Sequence, residues 1–407
     1  MRNLLTGLDV GTSKVCALVG EALPDGQLAT LGYGVSPCTG LRKGVVVNIE
    51  ATVDSIKSAV EEAEKTSGAR IGSVVVGVAG PHIRGLNSHG IVAVRGGEVG
   101  ARDVDRVIDA ARAVAIPLDR QVLHILPQQF AVDEQEGVRE PLGMAGVRLE
   151  ARIHIVTAAQ SYGLNLTKCC ERAGVTPSEM VFQPLASADA ALFPEERELG
   201  VALIDIGGGT TDIIVFHGGA VMHTAVLPIG GNHLTSDIAA GLRTPISDAE
   251  RLKITYGIAT NLVVRRDEMV QVPGVGGREP RVIARRMLGE IIEPRMEEIF
   301  SMVQRELMRS GVADGLASGI VLVGGTSLLE GTQELAERIF GVPVRRGLPI
   351  NLKGLPEELM KPMFTTAAGL LLYQSSARGV GNGVSRNGNG RLGRLRSRLS
   401  DWVRDFF

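Results

Sequence analysis

Two aspartates, each at the end of an apolar run and just before glycines, are the side chains of this chain best placed to do chemistry. Asp205 follows the apolar residues 201–204, and a second apolar run covers residues 213–216. The turn between the runs contains three glycines and two threonines: Gly207, Gly208, Gly209, Thr210 and Thr211. Short β-branched runs predict buried strands, and the glycines predict a tight turn between them. Glycines let backbone N–H groups approach an anion closely, so this hairpin is typical of a phosphate-binding site.

The N-terminal stretch repeats the pattern. An apolar run leads to Asp9, and the chain becomes apolar again at Val15. The turn between them holds Gly11, Thr12, Ser13 and Lys14. Two such hairpins predict two similar halves with a nucleoside triphosphate in the cleft between them, and with both aspartates near its metal ion. The alternative for either stretch taken alone is a glycine hairpin that binds no ligand.

Other phosphate-binding loops do not fit these turns. A Walker A loop requires G-x-x-x-x-G-K-[ST] at the start of a helix, and the glycine-rich turn of a dinucleotide-binding fold also leads into a helix. Here each turn is followed at once by a run typical of a strand. The sequence therefore predicts a strand–turn–strand phosphate clamp in both halves.

Composition limits the class of protein. The chain has 407 residues, 44% of them hydrophobic, which is enough for two to four domains. A net charge of −2 argues against general nucleic-acid binding. The four cysteines show no disulfide or metal spacing and predict buried thiols of a reducing compartment. No signal peptide opens the chain and no window approaches the roughly 20 apolar residues of a spanning helix, so we expect a cytoplasmic protein.

Three further regions carry predictions about the fold. Residues 84–162 predict a compact α+β insert with a loop over residues 135–146. Residues 265–281 are polar and glycine-bearing, and a long helix is predicted over residues 283–310. Because Pro294 lies inside this helix, we expect a kink or two shorter helices there.

Two features could contact a nucleotide outside the hairpins. Gly324 and Gly325 follow an apolar run, where a flat base could lie against the backbone, and Thr326 or Ser327 could cap the next helix. Glu250 and Lys253 lie three apart on one helix face. Such a pair is usually a surface ion pair, but near a cleft it could bind ribose hydroxyls.

The C-terminal residues predict a tether and an amphipathic helix. Residues 377–390 hold five glycines and predict a flexible linker. At helical spacing the apolar residues that follow share one face: Leu392, Leu395, Leu399, Trp402, Val403, Phe406 and Phe407. Arg394, Arg398 and Arg404 lie on the other side, and residues 391–407 hold five arginines in all. This pattern favours an interfacial membrane anchor that binds anionic lipids; a helix that enters a partner's groove is the alternative.

Taken together, these motifs resemble the actin and DnaK-type ATPase superfamily and, more narrowly, the FtsA family of bacterial cell-division proteins. L-I-D-I-G-G-G-T-T-D-I is typical of the whole superfamily, whereas residues 230–257, the insert and the tail resemble FtsA over essentially the whole chain. The resemblance implies an α/β, actin-like ATPase fold with two similar halves, an inserted subdomain called 1C and a C-terminal amphipathic helix. It divides the chain into subdomain 1A (1–83, 163–197 and 350–376), 1C (84–162), 2A (198–257 and 311–349), 2B (258–310), the linker (377–390) and the helix (391–407).

The resemblance also implies roles for particular residues. Asp9 and Asp205 would hold Mg²⁺, largely through water, while both hairpin turns bind the phosphates of ATP. Glu250 and Lys253 would bind the ribose, and residues 324–327 would lie by the adenine. Gln183 matches the residue that positions the attacking water, with Asp205 as a second catalytic candidate. Because glutamine is not a strong general base, we expect at most slow hydrolysis.

Partners are implied in the same way. The family forms actin-like filaments on the cytoplasmic face of the inner membrane at the division site, tethers FtsZ there and contacts later division proteins through 1C. The C-terminal peptide of FtsZ would dock on residues 258–310, where Arg285, Arg286 and Arg295 are basic candidates, although a solvated helix face explains them equally well. The alternatives are another actin-like cytoskeletal or pilus-assembly ATPase, or a kinase of the superfamily. A kinase needs an acidic cluster facing its acceptor, and the sequence shows none besides Asp9, Asp205 and Asp212.

Overall fold

The computed structural model describes residues 4–23, 27–263, 268–276 and 279–379. The chain begins with strands β1 (Leu4–Val10), β2 (Lys14–Ala22), β3 (Leu28–Pro37), β4 (Leu41–Arg42) and β5 (Val45–Val46), followed by helix α1 (Ile49–Ser67) and strand β6 (Ser73–Val78). Helix α1 starts where the side chain of Asn48 accepts a hydrogen bond from the Ala51 N–H, and it ends at Gly68, whose φ of 65° suits glycine.

The insert comes next and has its own sheet. Its elements are β7 (Arg84–Ala93), α2 (Ala101–Arg112), β8 (Arg120–Val132), β9 (Gln135–Val138) and β10 (Arg148–Ala159). The sheet order is β7-β10-β8-β9, and α2 packs on it over a separate apolar core. The predicted loop over residues 135–146 was wrong at its start, because β9 pairs there with β8.

The chain then returns to the first half and crosses to the second. These elements are α3 (Gln160–Arg172), β11 (Thr176–Phe182), α4 (Gln183–Ala191), α5 (Pro194–Leu199), β12 (Val201–Ile206), β13 (Thr211–His217) and β14 (Ala220–Leu227). The remaining elements are α6 (Gly231–Leu242), α7 (Ile246–Tyr256), β15 (Met269–Val272), β16 (Arg281–Ala284), α8 (Arg285–Arg309), β17 (Ile320–Val323), α9 (Thr332–Phe340), β18 (Val344–Arg346), β19 (Leu352–Lys353) and α10 (Thr365–Gly379).

The two large sheets share one topology. The first has the order β11-β6-β1-β2-β3-β19 and the second has β14-β13-β12-β17-β18. In each, an antiparallel meander of three strands (β1–β3 or β12–β14) is extended by two parallel strands on the side of its first strand. The predicted repeat of two similar halves is therefore confirmed. One apolar core continues from the first sheet to the second, through residues such as Leu8, Val76, Leu203 and Val321.

Three expectations about the second half and the tail need correction. Helix α8 runs through Pro294 as one element rather than as two shorter helices, and Ile292 and Met296 on either side of the proline are fully buried in the core. In the polar stretch 265–281, β15 pairs with the start of β16 as an antiparallel two-stranded sheet. The helix after Gly324 and Gly325 is a short 3₁₀ turn without a side-chain cap, and α9 begins only at Thr332. Helix α10 reaches Gly379, so the first residues of the predicted linker are helical.

Candidate nucleotide-binding site

The two hairpin turns have the same internal geometry. In the first turn the Gly11 N–H donates to the Lys14 carbonyl at 2.9 Å, and in the second the Gly207 N–H donates to the Thr210 carbonyl, also at 2.9 Å. Each bond joins residues at the same offsets from the preceding aspartate. The equivalence predicted from sequence thus extends to the backbone of both turns.

The turns face each other across the cleft. A Cβ added at Gly209 would lie 2.7 Å from Thr12 Oγ1, and one added at Gly208 would collide with Ser13 Oγ. Lys43 adjoins Gly209, and the Gly44 N–H donates to Thr12 Oγ1 at 3.0 Å. Only glycine leaves the backbone of the second turn this close to the first, which is the arrangement that a phosphate clamp requires.

The carboxylate of Asp9 is held by a cation and an amide. Lys14 Nζ lies 2.8 Å from Asp9 Oδ2, and Gln183 Nε2 donates to Asp9 Oδ1 at 3.1 Å. Burial lowers the pKa of Lys14, but the charges around it, that of Asp9 foremost, outweigh burial and raise the net pKa above its usual value. The structure therefore brings Asp9, Lys14 and Gln183 together as predicted.

The carboxylate of Asp205 is held by hydroxyl groups instead. Ser187 Oγ and Thr366 Oγ1 lie 3.3 Å and 3.4 Å from Asp205 Oδ2. Burial, with the charge of Asp9 as a second cause, raises the pKa of Asp205 to about 6. Asp9 and Asp205 thus lie close enough to repel each other, as a pair that shares one cation would.

Asp212 is the buried neighbour of Asp205 on the adjacent strand, in direct register with it. Thr210 Oγ1 donates to Asp212 Oδ2 at 2.9 Å, whereas Asp212 Oδ1 is buried without a hydrogen-bond partner. Burial, and then the charge of Asp205, raise the pKa of Asp212 well above its usual value. Because the position equivalent to Asp212 in the first hairpin is Cys16, only the second half carries two acidic groups here.

A second layer of residues surrounds the second turn. The N–H groups of Gly231 and Asn232 donate to the carbonyls of Gly207 (2.9 Å) and Gly208 (2.8 Å), so α6 starts against the turn. Thr326 Oγ1 donates to the same Gly207 carbonyl at 3.1 Å. The N-terminus of a helix attracts anions, and this one lies beside the predicted phosphate site.

The predicted pair Glu250 and Lys253 also reaches this layer. Lys253 Nζ lies 2.7 Å from Glu250 Oε2 and donates to the Gly231 carbonyl at 3.1 Å. The ammonium group is buried, and it also donates to Thr235 Oγ1 at 2.9 Å, whose hydroxyl bonds Glu250. The pair is therefore part of the cleft wall and not an ordinary surface ion pair.

Two of the predicted site hydroxyls are used by the fold. The Thr211 hydroxyl is fully buried and donates to the Ile229 carbonyl, and the Ser327 hydroxyl is fully buried and donates to the Gly324 carbonyl. Sequence reasoning in turn missed Lys43, Asn232, Ser187 and Thr366. The glycine pair before α6 was a usable signal for Asn232; the other three are brought to the cleft by tertiary packing alone.

The predicted basic residues for a partner peptide lie elsewhere and are largely paired. Arg285 contacts Glu268 at 2.6 Å and Glu330 at 2.5 Å. Arg295 contacts Asp237 at 2.7 Å and also Glu298. Arg286 keeps 70% of its side chain exposed and faces Glu290 at 3.5 Å. The predicted membrane residues of the tail lie outside the described residues.

Within the described part of the chain, no helix has the length and apolar content needed to cross a membrane. The four cysteines are buried free thiols, as the sequence predicts. No cluster of three or more histidine, cysteine, aspartate or glutamate side chains is arranged to hold a metal ion among these residues.

Comparison with known proteins gives the family. The family model described as "Cell division protein FtsA" matches residues 202–369, and the one described as "SHS2 domain inserted in FTSA" matches residues 80–157. The cell division protein FtsA of Pseudomonas aeruginosa is 53% identical over 386 residues, which cover 95% of this chain and 93% of that protein. The chain belongs to the FtsA family of cell division proteins. The FtsA of Escherichia coli K12 is 41% identical over 414 residues, covering 100% and 99% of the two chains.

Solved structures of other proteins share the actin-like fold of this FtsA family member. The type IV pilus biogenesis complex PilM–PilN matches with a TM-score of 0.65 and 20% identity, over 91% of this chain and 98% of the other. MreB5 of Spiroplasma citri bound to ADP matches with a TM-score of 0.58 and 15% identity, over 93% and 99%. The predicted actin-like fold with an inserted subdomain is thereby confirmed.

Proposed function

We propose that the chain binds ATP with Mg²⁺ between its two halves and acts as a nucleotide-dependent scaffold of the cell-division machinery. The observation that carries this proposal is the pair of identically closed turns in contact across the cleft, with Asp9 and Asp205 at their bases. The structure of MreB5 with ADP, and that of the same protein with AMPPNP, supports a nucleotide in this fold.

The donor groups in the cleft fit Mg²⁺ and phosphate. Mg²⁺ prefers oxygen ligands and keeps several waters, which matches two carboxylates near enough for the charge of Asp9 to raise the pKa of Asp205. Asp9 and Asp205 would hold the ion largely through water. The phosphates would lie on the N–H groups of both turns, residues 11–14 and 207–210. When bound, Mg²⁺ neutralises part of the phosphate charge.

The rest of the nucleotide would follow the second half. Glu250 and Lys253 would hold the ribose, and the backbone at Gly324 and Gly325, with Thr326, would contact the adenine. Gln183 would orient a water toward the phosphates, because its amide already bonds Asp9. Glutamine is not a strong general base, so we propose at most a slow ATPase.

The scaffold function rests on family membership and on the composition of the tail. We propose that the chain polymerises on the cytoplasmic face of the inner membrane at the division site, where residues 391–407 bind anionic lipids. There it would tether FtsZ filaments during assembly of the FtsZ ring and recruit later septum proteins of the divisome through the insert. We retain the division into 1A, 1C, 2A, 2B, linker and C-terminal helix as part of this proposal.

The surface proposed for the FtsZ C-terminal peptide is apolar as well as basic. Several large side chains on residues 258–310 and the neighbouring end of α7 are exposed: Ile254, Leu262, Met269, Val282 and Met287. Arg286 lies on the same segment and is the most exposed of the three predicted arginines. This surface would suit a peptide with both apolar side chains and an acidic group better than a peptide that offers acidic groups alone.

Calorimetric titration with Mg·ATP tests the nucleotide proposal. The parent chain should bind, whereas Gly208→Val should not, because the added side chain would collide with Ser13 and force the two turns apart. Gly72→Val is the matched control, since a Cβ at Gly72 meets nothing within 4 Å. Equal binding by the parent and Gly208→Val would refute the cleft as the nucleotide site.

Co-sedimentation with liposomes that contain anionic lipids tests the scaffold proposal. With ATP, the full chain should bind and form lipid-bound filaments, and a chain that ends at Gly390 should not. A Trp402→Glu, Phe406→Glu double variant keeps the length and the linker, and it should also stay in solution. If the full chain remains monomeric and unbound on these liposomes, the membrane-scaffold proposal fails.

A further inference from the structure

Helix α4 contacts the aspartates of both halves with one face. Gln183 Nε2 bonds Asp9, and Ser187 Oγ lies 3.3 Å from Asp205 Oδ2. The two side chains are four residues apart, so they project from the same side of the helix on successive turns. A single rigid element therefore spans the distance between the carboxylates.

Helix α10 brings a second hydroxyl to Asp205. Thr366 Oγ1 lies 3.4 Å from Asp205 Oδ2 and 2.8 Å from Ser187 Oγ. The Ser187 side chain is fully buried and that of Thr366 almost so. The other carboxylate oxygen, Oδ1, lies against Gly324, where an added Cβ would collide with it. Both oxygens of Asp205 are thus located by neighbours from three different elements.

The hydroxyls locate this carboxylate without neutralising it. The oxygens of Ser187, Thr366 and Asp205 form three close pairs, but the two hydroxyls supply only two protons. At any moment each hydroxyl therefore donates either to the other hydroxyl or to Asp205, and one of the three pairs has no proton between its oxygens. Asp9, by contrast, is already paired with the ammonium group of Lys14. The negative charge on the second-half side of the cleft therefore stays available to a cation while its position is fixed.

We propose that Ser187 and Thr366 are positioning residues that hold Asp205 in the orientation needed for Mg²⁺-dependent ATP binding. This inference rests on the proposed nucleotide function of the cleft. Without the hydroxyls the Asp205 side chain can leave its position beside Gly324, so the carboxylate must be ordered again each time the ion binds. Loss of these hydroxyls should therefore weaken the binding of the ion, and not the contacts to the nucleotide base or ribose.

The test measures ATP affinity by calorimetry with Mg²⁺ and with EDTA for the parent, Ser187→Ala, Thr366→Val and Thr366→Ser. Loss of a hydrogen bond to a charged group corresponds to roughly a tenfold weakening. We expect that weakening with Mg²⁺ for Ser187→Ala and Thr366→Val, less than about a twofold change with EDTA, and near-parent affinity for Thr366→Ser, which keeps the hydroxyl.

Ser55→Ala controls for the loss of a buried serine. Ser55 is buried on α1, and its hydroxyl donates to the Ala51 carbonyl and contacts the Cys38 thiol rather than either cleft aspartate. It should reproduce any general loss of stability without a change in Mg²⁺ dependence. Parent-like affinity in Ser187→Ala and Thr366→Val, or equal weakening with Mg²⁺ and EDTA, would overturn the positioning role. Failure of the parent chain to bind ATP would instead overturn the proposed function.

Discussion

At the scale of single residues, the two aspartates of the cleft are equivalent in sequence but differ in what surrounds them. Asp9 has a cation at 2.8 Å, whereas Asp205 has only hydroxyls within reach and has Asp212 on the next strand. Burial, and then the charge of Asp9, outweigh the attraction of Lys14 and raise the pKa of Asp205 to about 6, so the cost of burying an ionised group falls mainly on Asp205. Because of this difference, replacing each aspartate in turn should change the stability of the chain in different directions.

We expect Asp205→Asn to stabilise the chain in the absence of Mg²⁺ and nucleotide. Because the pKa of Asp205 in the folded chain lies above the usual value of 3.8, the folded chain binds the Asp205 proton more tightly than the unfolded chain does. The free energy of unfolding therefore falls as pH rises from about 4 to about 6 and then levels off. The unfolding temperature of Asp205→Asn should exceed that of the parent by an amount that grows over this pH range and stays constant above it, at roughly 2–4 °C.

Asp9→Asn is the matched comparison for this experiment. It removes the partner of buried Lys14, so it should lower the unfolding temperature at every pH tested. If Asp205→Asn proved less stable than the parent at pH 7.5, the unfavourable burial of Asp205 would be disproved.

At the scale of secondary-structure elements, sequence predicted the hairpins and long helices but not the short polar elements. The hairpins were predictable because β-branched runs and glycines encode strand and turn locally. Strands β9 and β15 and helix α5 are only four to six residues long, and their neighbours decide their conformation. The Ser187–Thr366 contact joins residues 179 positions apart, so no local pattern marks it.

The crossing of α4 and α10 depends on Gly369. A Cβ there would collide with the Ala186 carbonyl, so the helices must separate to admit it. Alanine is the better helix former by about 1 kcal/mol, but overpacking costs about 1–3 kcal/mol, and backbone contact belongs at the upper end. We expect Gly369→Ala to lower the urea midpoint of unfolding. Gly72→Ala, which meets nothing within 4 Å, should leave it unchanged; equal midpoints for both variants would contradict this account of the crossing.

The insert docks on β14 through a neutral histidine. His154 Nδ1 lies 2.6 Å from Asn87 Oδ1 and Nε2 lies 2.8 Å from Thr224 Oγ1, so Nδ1 carries the proton and Nε2 accepts. Burial, helped by nearby His223, lowers the pKa of His154 to about 3. The contact is therefore fully stable above pH 6.5 and weakens as pH falls below it, because only the unfolded or undocked histidine is protonated.

Hydrogen exchange of residues 220–227 measures this docking. After correction for intrinsic rates, exchange should be faster at pH 5.5 than at pH 7.5 in the parent. His154→Gln keeps polar groups but cannot take up a proton, so its exchange should be independent of pH. A pH dependence that persists in the variant would assign the effect to a group other than His154.

At the scale of the whole molecule, the proposed nucleotide site would make the two halves one ligand-binding unit, because each half supplies one turn. ATP should therefore protect residues 11–14 and 207–210 together from hydrogen exchange. Gly208→Val alters only the second turn, yet it should abolish protection in both, whereas Gly72→Val should retain it. Protection that survives in the first turn of Gly208→Val would show that the halves bind independently.

The packing of α10 fixes the order in which this protein can be completed. The Thr6 N–H of β1 donates to Gln374 Oε1, and a Cβ at Gly7 would lie 2.9 Å from the Ala367 carbonyl. Strand β1 thus waits for a helix that is made much later, because Thr6 and Gln374 are 368 positions apart. At translation rates of about 5–20 residues per second, that interval is roughly 20–70 s. The first sheet therefore lacks its covering helix until α10 has been made. The demand for chaperone binding to this sheet should last equally long.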